Sequence, residues 1–172
     1  MDEKIIESPA KSSQIAKLTL DERSVLRRSP EIECERAVAI SDLLESNHFV
    51  LLAPEVGVVP PYHLHLTLVD DRLNLLVKGL EGSSSAATSV TLPLSSFRRI
   101  VRDYFMICES YYQAVKSAAP HQIETIDMAR RGIHTEGATL LTERLAREVT
   151  VDEETARRLF TLICVLHLKA NP

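Results

Sequence analysis

The sequence predicts an α+β fold, in which a small antiparallel β-meander with one packed helix is followed by a three-helix C-terminal unit. Three observations predict it. Between residues 14 and 94, short segments of alternating apolar and polar residues are joined by short polar links. One segment of helical periodicity, near residues 30–45, interrupts them. From residue 95 to 168 apolar residues recur every three or four positions, which is typical of helices.

These patterns indicate a single α+β domain over residues 14–172, with a β-rich lobe at 14–94 and a helical lobe at 95–168. The preceding residues 1–13 are polar and aperiodic, so we expect a disordered tail there. No internal repeat divides the chain further. A length of 172 residues suffices for one domain with a hydrophobic core.

The clearest strand is HLHLTLV, residues 63–69, whose leucines alternate with His63, His65 and Thr67. This pattern predicts a buried leucine face and a solvent face that carries both histidines. QIAKLTL, residues 14–20, predicts a strand with Ala16, Leu18 and Leu20 on its buried side. Further strands are predicted at 48–53, 73–80 and 90–94, and the short links between them predict antiparallel pairing.

Helix starts are marked by capping residues. Ser29 precedes Pro30, a pair typical of a helix start, and the pattern continues to about Glu45. The other predicted helices start at Ser95 or Ser96, at Pro120 and after a capping box formed by Thr150 with Glu153, and they end near Ala118, Arg147 and Leu168.

The segment RRGIHTEG, residues 130–137, places two glycines within the helix that starts at Pro120. One interpretation is a break, with Gly132 just past a helix end and Thr135 capping a new helix. The other is an unbroken helix whose glycines are contact points for neighbouring helices. Apolar residues keep their spacing of three and four across both glycines, which favours the unbroken helix. Gly137 then lies on the apolar face and Gly132 on a second face.

The bulk charge limits the classes of function. A net charge of −4 argues against a nucleic-acid binder and against a polybasic membrane anchor. No segment is long and apolar enough to span a membrane, and the acidic start does not match a signal peptide, so we expect a cytoplasmic protein. Three cysteines within apolar helical patterns, with no CxxC pair, are interpreted as small buried side chains.

Arginine and histidine in the helical lobe are the candidate functional residues. Arg98 and Arg102 are four positions apart, and neither they nor Arg130 have an acid four positions before them. Together with His134 they are candidates for binding an anion or a protein partner. Ion pairs with other helices and simple surface positions are the alternatives. The arginines near His134 would disfavour its protonation.

No metal site or cofactor is predicted. His63 and His65 project from one face of a strand, about 7 Å apart, but a metal requires a third ligand, for which Asp70, His121 and Glu136 are the candidates. A half-solvated sheet face explains the pair equally well. Cys164 and His167, one helical turn apart, fit a packed core better than a metal site. The common nucleotide-binding and hydrolase motifs are missing.

Four segments, RRSPEIECERAVAI, FRRIVRDYFMICESYYQAV, IDMARRGIHTEG and ETARRLFTLICVLH, give the chain a resemblance to the UPF0262 family of alphaproteobacterial proteins. The resemblance extends from Ile15 to His167. It implies a small cytoplasmic bacterial protein, and it implies no reaction, cofactor or site residue.

These observations favour a non-enzymatic cytoplasmic interaction or regulatory protein that binds an unknown protein partner or forms a homodimer. We expect such a protein to show an exposed apolar patch on a helix or a symmetric interface. The alternative is an enzyme or small-anion binder, which requires Arg98, Arg102, Arg130 and His134 to converge on one cleft. A nucleic-acid protein, the third hypothesis, requires a basic face despite the acidic total.

Overall fold

The computed structural model describes residues 14–22, 29–80 and 86–167. The predicted tail at 1–13 and the predicted helix end at Leu168 lie outside these residues. Within them the chain forms, in order, β1 (Ile15–Leu20), α1 (Pro30–Glu45), β2 (Phe49–Leu51), β3 (Tyr62–Val69), β4 (Arg72–Gly79), β5 (Ala87–Pro93), α2 (Arg98–Ser117), α3 (Pro120–Leu145), β6 (Val149–Val151) and α4 (Glu153–His167). The predicted α+β class is confirmed.

The main sheet has the strand order β1-β3-β4-β5. Strands β3, β4 and β5 form the predicted antiparallel meander. Strand β1, however, pairs parallel with β3, which corrects the expectation of antiparallel pairing throughout. The reason is α1, which carries the chain back to the starting end of the sheet before β3 begins.

The two faces of the sheet differ as the alternation in β3 predicts. Leu64, Leu66 and Leu68 are buried, whereas His63 and His65 are half-buried on the opposite face. In β1 the prediction that Ala16 is buried is wrong. A register shift between Ile15 and Lys17 turns Ile15 into the core and leaves Ala16 exposed, while Leu18 and Leu20 still pack against the core.

Strand β2 does not join the main sheet. It pairs antiparallel with β6, a strand that the sequence analysis did not predict. The pairing continues past β2, because the Leu52 amide donates to the Glu148 carbonyl at 2.9 Å. The His48 amide also donates to the Thr155 hydroxyl at 2.8 Å. This ribbon therefore ties the β-rich segment to α4, and one hydrophobic core contains residues from both segments.

The helix starts differ in how well they were predicted. Ser29 caps α1 as expected, with its hydroxyl accepting from the Ile32 amide at 3.3 Å. The predicted capping box of Thr150 with Glu153 is wrong, because Thr150 lies in β6 and the Asp152 carboxylate accepts from the Thr155 amide. Neither Ser95 nor Ser96 caps α2, since both lie in a 3-10 turn, Leu94–Phe97, that leads into the helix.

Helix α3 is unbroken from Pro120 to Leu145, as the spacing across its glycines predicts. It lies between α2 and α4. Gly137 is the contact point with α4, because a Cβ there would lie 2.6 Å from ring carbons of Phe160. Gly132 is not a contact point within the chain, since a Cβ there would meet nothing within 4 Å. None of the helices in the described residues is long and apolar enough to cross a bilayer.

The two glycines of α3 should respond oppositely to substitution by alanine. Gly137→Ala should lower the free energy of unfolding by about 1–2 kcal/mol, because the overlap of the new methyl group with Phe160 outweighs the gain in helix propensity. Gly132→Ala should raise it by up to about 1 kcal/mol, because its Cβ meets only open space. Urea denaturation at low protein concentration measures both changes, and equal effects would contradict the packing described.

Candidate functional site

Arg130, in the middle of α3, is the centre of a polar cluster where α1, α2 and α3 meet. Its Nη1 donates to Glu35 Oε1 of α1 at 3.2 Å, and its Nη2 donates to Asp127 Oδ1 at 2.8 Å. The guanidinium carbon lies 4.5 Å from the centroid of the Tyr111 ring of α2, a cation–π distance. Arg130 is only 23% exposed, and the carboxylates of Glu35 and Asp127 neutralise its charge within the chain.

Glu35 links this arginine to a second tyrosine of α2. The carboxylate oxygen that accepts from Arg130 also accepts from the Tyr112 hydroxyl at 2.9 Å. Burial and the charge of Glu35 raise the pKa of Tyr112, so its hydroxyl stays protonated and donates. The cluster, which we call the Glu35–Arg130 cluster, comprises Glu35, Tyr111, Tyr112, Asp127 and Arg130.

Asp127 holds two arginines through the spacing of α3. It lies three positions before Arg130 and four before Arg131, and its second oxygen is 3.0 Å from Arg131 Nη2. Asp127 therefore pairs with both arginines. Hydrogen bonding by Arg130 lowers the pKa of Asp127. Sequence reasoning missed Glu35 as a partner, because that contact crosses 95 positions and no local spacing marks it.

His134 lies one turn beyond Arg130 on α3. Its ring meets Tyr104 of α2 and Phe160 of α4 edge-on, with centroid distances of 5.3 and 6.2 Å. Burial and, to a smaller extent, the nearby charges of Arg157, Arg130 and Arg158 together lower the pKa of His134 to about 4. The imidazole is therefore neutral at neutral pH and brings no positive charge to an anion.

The buried hydroxyl and thiol groups next to the rings of Tyr104, His134 and Phe160 are unreactive. The Tyr104 hydroxyl is buried next to the Cys108 thiol, and burial raises its pKa. Burial raises the pKa of the Cys108 thiol to about 11 and that of Cys164 well above its usual range. Both thiols therefore stay protonated, as inert packing groups. They are buried as predicted, whereas Cys34 is exposed, which corrects that prediction.

The remaining two candidates lie elsewhere. Arg98 pairs with Asp71 at 2.9 Å, at the turn between β3 and β4. Arg102 is exposed and makes no ion pair with a described residue. Tyr111, which Arg130 contacts, follows Arg98 by thirteen positions on α2, roughly 20 Å along the helix axis. The structure thus brings Arg130 and His134 together and places Arg98 apart. Binding of an anion or a partner by these four candidate residues stays a prediction.

His63 and His65 share one hydrogen-bond partner on β1. His63 Nε2 lies 2.8 Å and His65 Nδ1 2.5 Å from the Thr19 hydroxyl oxygen. Neither Asp70, His121 nor Glu136 joins them, because the described residues contain no group of three or more His, Cys, Asp or Glu side chains placed to hold a metal ion.

A family model supplies the affiliation of the chain. The model of UPF0262, described as an uncharacterised protein family, matches residues 12–169, a range that contains every residue of the Glu35–Arg130 cluster. The chain belongs to this family.

Members of UPF0262 from several bacteria are similar over almost their whole length. A UPF0262 protein of Paramagnetospirillum magneticum is 51% identical over 156 residues, which cover 91% of this chain and 96% of the relative. One of Ruegeria sp. is 55% identical, covering 90% and 98%. One of Rhodopseudomonas palustris strain BisA53 is 55% identical, covering 90% and 92%. No solved structure matches the chain.

Membership of UPF0262 assigns no activity, so the role of the Glu35–Arg130 cluster follows from its geometry. The cluster consists of an arginine, two carboxylates and two tyrosines, which are joined by ion pairs, a hydrogen bond and a cation–π contact. It positions α1 against α2 and α3, because the contacts of Glu35 join all three helices. A group that is already neutralised in this way stabilises the helix arrangement and offers no free charge to a ligand.

Replacing Arg130 tests the structural role of the cluster. Arg130→Leu should lower the free energy of unfolding by about 2 kcal/mol, because it leaves Glu35 half-buried without its ion pair and removes the contact with Tyr111. Arg131→Leu is the matched control, since Arg131 pairs with the same aspartate but is 72% exposed. The control should change stability by less than about 0.5 kcal/mol. A comparable loss in both variants would contradict this assignment.

His134 should make stability depend on pH. Its folded pKa of about 4 lies below the ordinary value of 6.5, so the unfolded chain binds a proton at a higher pH than the folded chain does. The stability that the neutral His134 ring contributes to the folded state is fully present above pH 6.5, and it declines as the pH falls toward 4. Between pH 7 and 4.5, the free energy of unfolding of His134→Phe should therefore fall by about 2 kcal/mol less than that of the wild type. Urea denaturation at several pH values measures both profiles, and equal losses in the wild type and in His134→Phe would show that another group causes the dependence.

Proposed function

We propose that this chain is a non-enzymatic cytoplasmic interaction protein that self-associates through the exposed face of α3. The observation that carries the proposal is Gly132. It lies in the middle of the helix, is exposed, and has open space where a Cβ would be. Glycine at such a position costs about 1 kcal/mol relative to alanine. No contact within the described residues requires it, whereas a close approach by a second molecule would.

Gly132 is part of a continuous exposed stripe. Its members alternate at spacings of four and three, the repeat of a coiled-coil seam. We call this surface the Gly132 stripe; it consists of His121, Thr125, Met128, Gly132, Thr135 and Thr139. All six are exposed, and Met128 is 66% exposed. Small side chains on such a seam allow two helix backbones to approach closely.

The stripe is less polar than its threonines suggest. The Thr125 hydroxyl donates to the His121 carbonyl, and the Thr139 hydroxyl donates to the Thr135 carbonyl, each at 2.9 Å. Because these hydroxyl protons are used within the helix, Thr125 and Thr139 present their methyl groups beside the Met128 thioether. A surface of this kind gains by burial against another helix.

A second copy of the chain fits the stripe by symmetry. In an antiparallel pair with its two-fold axis at Gly132, a residue n positions before Gly132 lies opposite one n positions after it. Thr125 then lies opposite Thr139 of the second copy, which pairs small side chains. His121 lies opposite Glu143, an exposed carboxylate, which pairs complementary groups at both ends. These two pairs support a two-fold dimer.

Sedimentation of the full chain over a range of concentrations tests the proposal. We expect a reversible dimer, and Gly132→Leu should weaken it by at least about tenfold because the added side chain holds the helices apart. Ser41→Leu, which adds the same side chain at an exposed position of α1, is the control and should leave the dimer unchanged. A wild-type monomer at all concentrations, or a Gly132→Leu variant that dimerises normally, would refute it.

A further inference from the structure

Basic side chains form a row across the outer face of the main sheet, opposite its buried leucines. Lys17 of β1 is in register with His63 of β3, which is in register with Lys78 of β4. Neighbouring strands lie about 4.8 Å apart, so both lysines flank the same imidazole. In the next row Thr19 is in register with His65. We call the first three residues the Lys17–His63–Lys78 row.

The positive charge of this row is not neutralised within the described residues. Lys17 and Lys78 are exposed and make no ion pair there. Arg72, at the far end of β4, adds another cation. Asp21, past the end of β1, is the nearest acid in register, but it is buried and already has an interaction partner. The other outward side chains of the four strands carry no acid: Ala16, Thr19, His65, Thr67, Val69, Asn74, Leu76, Ala87, Ser89 and Thr91.

The Thr19 hydroxyl orders the imidazoles of this face. It lies 2.8 Å from His63 Nε2 and 2.5 Å from His65 Nδ1. A hydroxyl has one hydrogen, so it donates to one ring nitrogen and accepts an N–H from the other. The two rings are therefore held in a fixed relation, and His63 is positioned between the two lysines before any ligand arrives.

We propose that the Lys17–His63–Lys78 row binds a small phosphorylated anion, such as a phosphate monoester or a diphosphate. The two ammonium groups contact the phosphoryl oxygens, and the His63 imidazole lies beneath them between the strands. Ammonium groups are effective phosphate ligands as point charges. This site is separate from the Gly132 stripe and does not depend on self-association.

Other ligand classes fit the face less well. A metal ion would be repelled by the two flanking lysines, and no third protein ligand joins His63 and His65 among the described residues. Single-stranded nucleic acid binds where aromatic rings stack on bases, but the outward side of these strands carries no Phe, Tyr or Trp. Tyr62, the aromatic residue at the start of β3, is buried on the other side.

A bound phosphate should change the titration of His63. Burial lowers the pKa of His63, and Lys17, His65 and Lys78 lower it further, so the ring is neutral at neutral pH. A bound dianion opposes the lysine charges and favours the protonated ring, so it should raise the pKa of His63. By linkage, the protonated ring in turn favours the bound dianion.

Histidine ring signals in NMR spectra of the full chain provide the test, with His63→Gln to assign them. Titration with inorganic phosphate and with pyrophosphate should shift the His63 and His65 signals saturably and raise the pKa of His63. Lys17→Ala/Lys78→Ala should weaken binding by at least about tenfold and, without ligand, should raise the pKa of His63 toward its ordinary value. Lys116→Ala, at the exposed end of α2, is the control and should bind normally.

Several outcomes would overturn the proposal. Shifts that do not saturate, or that survive the loss of both lysines, would indicate an adventitious ion only. Selective saturable perturbation of His63 and His65 by Zn²⁺ at concentrations where phosphate has no effect would indicate a cation site. Tighter binding of a short oligonucleotide than of pyrophosphate would assign the face to nucleic acid. The pKa change in the ligand-free double variant shows that the substitutions act at His63 in a folded chain.

Discussion

The close approach of α3 to α4 at Gly137 is the constraint on which the helical part of the structure depends. The Phe160 ring occupies the space that a Cβ at Gly137 would need. The same ring meets Tyr104 of α2 at 5.9 Å and His134 of α3 at 6.2 Å, both edge-on. Three helices thus share one aromatic junction, because one position on the central helix has no side chain.

This junction determines what each side of α3 presents. Arg130 and Gly132 are two positions apart and therefore point about 200° apart around the helix. With Phe160 and Tyr104 holding the inner side, Arg130 reaches Glu35 of α1, and Gly132 is left on the surface. One side of the helix is occupied by internal ion pairs and aromatic contacts. The other side carries the Gly132 stripe, so the surface available to a partner follows from the packing of the core.

Local patterns in the sequence were sufficient for most of the elements. Alternation identified β3 and its two faces, and the continuous spacing across Gly132 and Gly137 identified α3 as unbroken. Both depend on a period that a few neighbouring residues reveal. The role of Gly137 was predicted from its place on the apolar face, whereas the expected internal contact at Gly132 was wrong, because periodicity gives a face and does not show whether a neighbour covers it.

What the sequence did not reveal depends on contacts between distant positions. The parallel pairing of β1, the ribbon of β2 with β6 and the contact of Glu35 with Arg130 each join segments that no local spacing relates. The same limit applies to the functional candidates. Arg130 has no acid four positions before it, yet it pairs with Asp127, three positions before it, and with Glu35 of another helix. Lys17 and Lys78 form one row with His63 only after three strands are aligned.

The ribbon of β2 with β6 also has a consequence for synthesis of the chain. Phe49 pairs with Val151, so the partner of β2 leaves the ribosome about a hundred residues after β2 itself. During that interval the meander, α2 and α3 can all form from nearby contacts, whereas the backbone of β2 has no strand to bond. Closure of this two-stranded ribbon is therefore a late event of co-translational folding, and a nascent chain that stalls before residue 149 keeps an unpaired apolar strand.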